Sequence, residues 1–452
     1  MKKSTLLTLI LGFAGATLAA ADTADTNSTP AWLTRPLSLA DALNTALTQN
    51  ATILKAQNDL EASHGLVVQT RAVALPQVTA SGQYKYTDPS AIEGFFPGST
   101  QPNENWNAGI QIVQAVYEGG KLRAAIQAAS ATKQQAFAQF QTSVANTLLA
   151  VRLAYYDTLL AGQQIIVHEA SVNLLQKELE DQQHRLDAGT VPKFNVLRAE
   201  VAVANERPNL IRARNDYRIA KNNLANLLGY NLPRDIWENI PLNLTDALEA
   251  APYDLNLSDA IQLALTRRTE LTALRKQVEL QQLNIINAKA GYKPTVSVFA
   301  GYNWFNAQFT APVELDHDIH GWNAGAQMSW NIFDGLLTHG KVIQADAQFA
   351  HAKNDLTDQS RQIELAVRTA YSDFLEAKEV LDSQIKVREE ADEALREAKA
   401  RADAGTGTQL DVLDAETSLT QARTTQIQAL HDYTAARARL ERAIGADLAP
   451  AK

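Results

Sequence analysis

The sequence predicts a mainly α protein with membrane β: a duplicated repeat of long coiled-coil helical hairpins, plus four β-strands per chain. Three observations predict it. First, Arg185–Gly229 lies on Arg401–Gly445 without a gap, and Arg185, Asp187, Gly189, Thr190, Val196, Leu197, Glu200, Tyr217, Leu224 and Gly229 all recur. A repeat of this kind has to be recognised before any other reading. Second, four segments of about ten residues alternate apolar and polar side chains, the length and period of membrane-crossing strands. Third, uninterrupted helical stretches run from about Lys121 to Asp187 and from about Lys341 to Asp403. At 1.5 Å per residue each is roughly 100 Å long, more than a globular domain needs.

Composition narrows the class. The 452 residues carry a net charge of −9, and there are no cysteines. The charge argues against a nucleic-acid or anionic-membrane footprint. The missing thiols exclude a disulfide framework, cysteine metal sites and a cysteine-linked lipid anchor.

In chain order, residues 1–21 read as a secretory signal peptide, with Lys2 and Lys3, an apolar run from Leu6 to Leu18, and Ala19-Ala20-Ala21. An uncleaved anchor is the competing reading. Residues 22–36 are polar and read as a mobile segment. Repeat 1 spans 37–229. Ser38 caps a short helix with Asp41 three positions on, and a second helix runs to Leu75. Pro76 then biases the chain out of helix, and strands follow at about 77–87 and 106–117. Repeat 2 spans 255–445, with Pro294 in the same place and strands at about 295–306 and 322–333. A connector, 230–254, carries Pro233, Pro241 and Pro252 and reads as a surface segment. The tail is 446–452.

The strands have two readings, a membrane sheet or a soluble one. The export signal and the aromatics beside the loops (Tyr84, Tyr86, Trp106, Trp304 and Trp322) favour the membrane, where such rings form an interfacial girdle. Four strands cannot close a barrel, and open edges do not survive in lipid. Several copies must then share one barrel. In the long helices Ile165, Val172, Leu179 and Leu186 recur every seventh residue, a coiled-coil seam. The apolar stripe is wider elsewhere, which favours helices packed on both sides in a ring.

Taken in order, these motifs resemble the TolC-like outer-membrane efflux proteins. The carriers are Leu37-Ser-Leu-Ala-Asp-Ala-Leu43, Pro76, Val116-Tyr-Glu-Gly-Gly120, Asp187-Ala-Gly-Thr190, Asn195-Val-Leu197, Ile332-Phe-Asp-Gly335, Asp403-Ala-Gly-Thr406 and Asp411-Val-Leu-Asp414. The resemblance covers nearly all of the mature chain. It implies a homotrimer with a shared trimeric β-barrel of twelve strands over a twelve-helix α-helical tunnel. It also implies an outer-membrane channel, an exit duct with a long periplasmic extension and gated at the periplasmic tip. Its partners would be a periplasmic adaptor (membrane fusion) protein, an inner-membrane RND, ABC or MFS transporter, and outer-membrane lipid. No cofactor, no metal and no enzymatic chemistry are expected. The alternative is a periplasmic helical scaffold without channel activity.

The resemblance also assigns sites. Asp411 and Asp414 share one helix face and match the family's acidic pair at the pore constriction; otherwise they are helix-start acids favoured by the dipole. Gly189, Thr190, Gly405 and Thr406 match the tip positions that meet the adaptor, and they also close helices. The family's latch residues are replaced here by Ala402, Gly407 and Asn195. Lys193 and Arg198 are candidates for a cross-tip ion bridge to the acidic pair. Asp316, His317, Asp318 and His320 read as a solvated loop, with metal binding as the competing reading.

Overall fold

The computed structural model describes residues 35–88, 104–230, 240–309 and 315–446, with the side chains of 307–309 and 315–317 excepted. The signal peptide, most of the N-terminal segment and nearly all of the C-terminal tail lie outside the described residues. No helix among those residues is long and apolar enough to cross a membrane.

The first repeat runs α1 (Leu39–Gln49), α2 (Ala51–Ala72), β1 (Gln77–Tyr86), β2 (Glu104–Glu118), α3 (Lys121–Asp187) and α4 (Lys193–Leu227). The second runs α5 (Leu257–Arg267), α6 (Thr269–Lys289), β3 (Thr295–Phe309), β4 (Leu315–Ser329), α7 (Leu337–Asp403) and α8 (Gln409–Ala443). Local chemistry sets these boundaries. Ser38 Oγ accepts the Asp41 N–H at 3.1 Å and caps α1. The Asn256 side chain does the same for α5 through Ser258. Gly189 and Gly405 end the two long helices at φ 74° and 73°, the left-handed region that glycine enters without cost.

All four strands lie in one antiparallel sheet, ordered β1-β2-β3-β4. The β2–β3 pairing joins the two repeats. β3 and β4 run further into the loop than the alternation indicates: β3 continues to Phe309 and β4 starts at Leu315, not near 322. Ladder bonds are backbone bonds and do not need an apolar side chain. Polar residues can reinforce them: Asn306 Oδ1 accepts the Trp106 N–H at 2.8 Å, and Asn306 Nδ2 donates to Glu104 O. At the other end β4 stops at Ser329, short of 333, and the Trp330 indole N–H donates to Tyr292 O at 3.1 Å.

Below the sheet the helices pack in rows. α2 packs on α3, α3 on α6, and α6 on α7. Further from the sheet, α4 packs on α3, α3 on α8, and α8 on α7. Each level therefore presents the same two flanks: β1, α2 and α4 on one side, β4 and α7 on the other. Large apolar side chains are exposed on the flanking helices, among them Leu66 and Val68 on α2, Val201 and Ile211 on α4, and Leu365 and Val380 on α7.

Two pseudo-equivalent cores hold the middle. One joins Leu43, Val151, Tyr155, Leu224 and Leu228; the other joins Ala260, Val367, Phe374, Leu440 and Ile444. Leu224 and Leu440 hold the same repeat position and are both fully buried. The described part of the connector lies largely at the surface, as its prolines suggest, but two of its side chains reach a core. Ile240 and Leu242 are buried in the first core, and Leu37 pairs with Leu244 as an isolated bridge. Asp246 accepts the Leu39 N–H at 2.7 Å and the Tyr155 hydroxyl at 3.2 Å. Two apolar side chains and one capping carboxylate thus anchor the middle of the connector to α1 and α3.

His431 joins α8 to α3. Its Nε2 lies 2.8 Å from Asp157 Oδ1 and its Nδ1 2.9 Å from Asp432 Oδ1. Burial favours the neutral ring, but the two carboxylates outweigh it and raise the pKa. A raised histidine contributes stability that is full below its unfolded pKa, near 6.5, and is lost as pH rises through the folded value. Thermal melts should show the protein more stable at pH 5.5 than at pH 8 by an amount that His431→Gln removes. An unchanged difference in the variant would place the effect elsewhere.

Candidate functional site: the channel wall and its tip

The register puts most apolar residues of the four strands on one face, with Val113, Phe299, Phe305 and Ile319 on the other. Val78, Ala80, Tyr84 and Tyr86 stand beside Ile112, Ile110, Trp106 and Glu104. Ala108, Ile110 and Ile112 stand beside Trp304, Tyr302 and Ala300. Trp322, Ala324, Ala326 and Met328 complete the row. The aromatics form a band toward the loop end of the sheet. Tyr84 pairs with Trp106 and Tyr302 with Trp322, and the Trp106 and Trp304 rings meet edge-on at 5.6 Å. Trp322 is 80% exposed. The opposite face carries Thr79, Ser81, Gln83, Gln111, Asn303, Asn323 and Gln327. One wall is mainly apolar and the other mainly polar, as a wall between lipid and a water-filled lumen requires.

A second apolar belt, which the alternation did not reveal, lies where the sheet meets the helices. Ile332 and Phe333 are 84% and 82% exposed, and Trp330, Leu336 and Leu337 are exposed beside them. Leu336 sits at φ 71°, a left-handed position where an L side chain costs roughly 1–2 kcal/mol. The first repeat has Gly120 there, at φ 102°. The sequence signal was available: Ile332-Phe333 and Leu336-Leu337 flank a turn otherwise made of Asp and Gly.

The far end of the molecule is the pair of tips. Thr190 closes on Arg185 O through its N–H and hydroxyl, both at 2.9 Å; Thr406 does the same on Arg401 O, at 2.9 and 3.2 Å. Gly189, Thr190, Gly405 and Thr406 are thus helix closures, and all four are exposed. Asp411 completes a capping box: its carboxylate accepts the Thr408 N–H at 2.9 Å and the Thr408 hydroxyl at 2.8 Å. Those bonds, with Arg401 nearby, hold its carboxyl below the usual range. Asp414, one turn on, is exposed.

The cross-tip links differ from the one sought in the sequence. Among the described residues Lys193 and Arg198 form no ion pair with Asp411 or Asp414; the Arg198 guanidinium stacks over Phe194 at 5.1 Å. The hairpins are tied instead by Arg185 Nη2 to Asp403 Oδ1 at 3.1 Å and by Gln409 Nε2 to Asn195 O at 3.2 Å. Arg185 and Asp403 both sit in the repeated stretch, but repetition alone does not tell which copies meet. Ala402 packs beside Leu395 and Val412, and Gly407 donates its N–H to Arg401 O. Behind the tip, Glu416 is 2% exposed with Lys399 Nζ at 3.1 Å. Its burial raises the carboxyl pKa, only partly offset by Lys399.

The acidic and histidine stretch expected as a loop lies in β4, where its backbone pairs with β3; the side chains of Asp316 and His317 lie outside the described residues, and His320 Nδ1 bonds the Tyr302 hydroxyl at 2.6 Å. No group of three or more His, Asp or Glu among the described residues could hold a metal.

Comparison with known proteins matches this architecture. The profile of the family described as outer membrane efflux protein matches residues 42–230 and 260–446, one match per repeat. The outer membrane protein TolC of Escherichia coli (strain K12) is 23% identical over 88% of this chain and 80% of its own length. TolC of Vibrio cholerae serotype O1 is 25% identical over 90% of each chain. The crystal structure of the outer membrane protein VceC from Vibrio cholerae superposes with a TM-score of 0.75 at 20% identity, covering 91% of this chain and 96% of that one. These matches favour a duct over a scaffold without channel activity. The chain belongs to the outer membrane efflux protein family, as an exit duct of the outer membrane for efflux or secretion.

Proposed function

We propose that three copies of the chain assemble into one duct, with a twelve-stranded barrel in the outer membrane and a twelve-helix tunnel in the periplasm. The supporting observation is the pair of flanks left open at every level: β1 and β4 in the sheet, α2 and α7 beneath it, α4 and α7 near the tips. An open sheet edge in lipid leaves backbone groups unpaired, at several kcal/mol each. Four strands are too few to close alone. Three copies supply the twelve strands and twelve helices that the family resemblance implies. The apolar face meets lipid, with Tyr84, Tyr86, Trp106, Trp304 and Trp322 at one interface and the Ile332–Leu337 belt at the other.

The tips around Gly189, Thr190, Gly405 and Thr406 meet a periplasmic adaptor, and an RND, ABC or MFS transporter of the inner membrane supplies the energy. Asp411 and Asp414 line the entrance as stacked acidic rings. Like charges crowded in a ring attract cations. Asp411 keeps its capping bonds in this arrangement, and Asp414 is the freer carboxylate. Native mass spectrometry of the detergent-extracted mature protein tests the assembly. The expected particle holds three chains; a particle of one chain, stable at micromolar concentration, would defeat the proposal.

A further inference from the structure

The polar face of the sheet has a feature the duct reading does not use. Three of its larger side chains stand directly opposite a glycine on the next strand. Asn303 faces Gly109, Asn323 faces Gly301, and Phe299 faces Gly325. Each lies across its glycine and does not project from the sheet. A methyl group on Gly109 would come within 2.5 Å of Asn303 Oδ1, one on Gly301 within 3.0 Å of Asn323 Oδ1, and one on Gly325 within 2.9 Å of the Phe299 ring. Asn303 Nδ2 also donates to Asn323 Oδ1 at 3.3 Å, which holds both amides along the wall. A side chain opposite a glycine gains contact with the bare backbone by folding over it. A side chain opposite a larger neighbour has to stand away from the sheet.

We propose that Gly109, Gly301 and Gly325 set the free width of the barrel lumen, and so the largest cargo that passes it, by letting Asn303, Asn323 and Phe299 lie flat. This rests on the reading that the apolar face meets lipid and the polar face lines the lumen. Among the described residues of that face the charged side chains are Lys85 at one end and Glu118 at the other. Between them the wall is amide, hydroxyl, glycine and apolar, so size and not charge discriminates there. Three copies multiply each laid-down side chain by three around the bore.

The chain has no cysteine, so one introduced thiol is the only target for labelling. Ser297→Cys puts it on the polar face, near the helical end of β3 and beyond all three glycines for a reagent that enters from outside. Intact cells are treated with polyethylene glycol maleimides of graded size, and the largest that labels is recorded. In a Gly109→Val/Gly301→Val/Gly325→Val background the size limit should fall, with small reagents still labelling. Adding Asn303→Ala, Asn323→Ala and Phe299→Ala should restore it. An unchanged limit in an assembled trimer overturns the proposal. Should the triple variant fail to assemble, Gly325→Ala with and without Phe299→Ala applies the same test. Ala324→Cys on the apolar face separates the two readings: if it labels with large reagents while Ser297→Cys does not, the faces are reversed and the duct reading fails with the proposal.

Discussion

Replacing Glu270 with alanine should destabilise the protein by about 2–3 kcal/mol, below the full cost of breaking a buried ion pair because the Glu270 side chain is still 20% exposed. Glu270 on α6 accepts Arg442 Nη2 at 2.6 Å and two bonds from Arg268, at 2.9 and 3.0 Å. Arg442 is buried on α8 and also donates twice to Asn146 Oδ1 on α3. Arg268 donates in turn to Arg442 O and Ala443 O. Three helices from both repeats thus meet around Arg442, which joins the Glu270 carboxylate to Asn146. Without it, two guanidiniums are left close together with no counter-charge. Burial already lowers the Arg268 pKa, and Arg442 lowers it further. For Glu270 itself, burial alone would raise the pKa, but the arginines outweigh it and hold it low. Its contribution is therefore present above the unfolded carboxyl pKa and is lost as pH falls through the folded one. Urea melts of wild type and Glu270→Ala at neutral pH check the magnitude. A difference below about 1 kcal/mol would mean that the arginines find other partners or water.

Gly229→Ala should cost at least about 2 kcal/mol, since left-handed strain alone is worth 1–2. Gly229 ends α4 at φ 86°, and an added methyl would land on the Gln49 carbonyl at the end of α1. Backbone on both sides leaves nothing flexible to yield. That junction is further fixed by Asn50, whose Nδ2 donates to Leu227 O at 2.6 Å. The equivalent Gly445 is the internal control. It has φ 73°, but an added methyl would sit 3.2 Å from Arg267 Cβ, with less overlap. The Gly445→Ala cost should be smaller. Equal melting shifts for the two variants would show that conformational strain, not the contact with Gln49, dominates.

Much of this architecture was legible because the chain is written twice. A glycine after a long amphipathic run, a proline before an alternating run, and the same order again fix helix, strand and turn from local chemistry. The alternation also identified which strand face is apolar, since a period of two leaves no other choice. Long-range partners were not legible. Nothing in the spacing of Arg185 and Asp403 says that α3 of one repeat meets α7 of the other. Lys193 and Arg198 carry the same charge on the other side of the same turn, yet Arg198 lies over Phe194. Asp411 satisfies a capping pattern with Thr408 that any helix start could show. Its place at an entrance comes from the resemblance alone. The connector's anchoring was not legible for a related reason: prolines mark turns, but only the fold shows Ile240 and Leu242 reaching a core.

The proposed duct has an acidic ring at its entrance. Planar-bilayer conductance of the mature protein, with a trivalent cation added on the periplasmic side, checks both the duct and the ring. Discrete channels that the cation blocks, with block lost in Asp411→Ala/Asp414→Ala, are the predicted result. Block that persists in the double variant would keep the duct and remove the acidic entrance. The absence of channels from correctly assembled protein would rule out the duct.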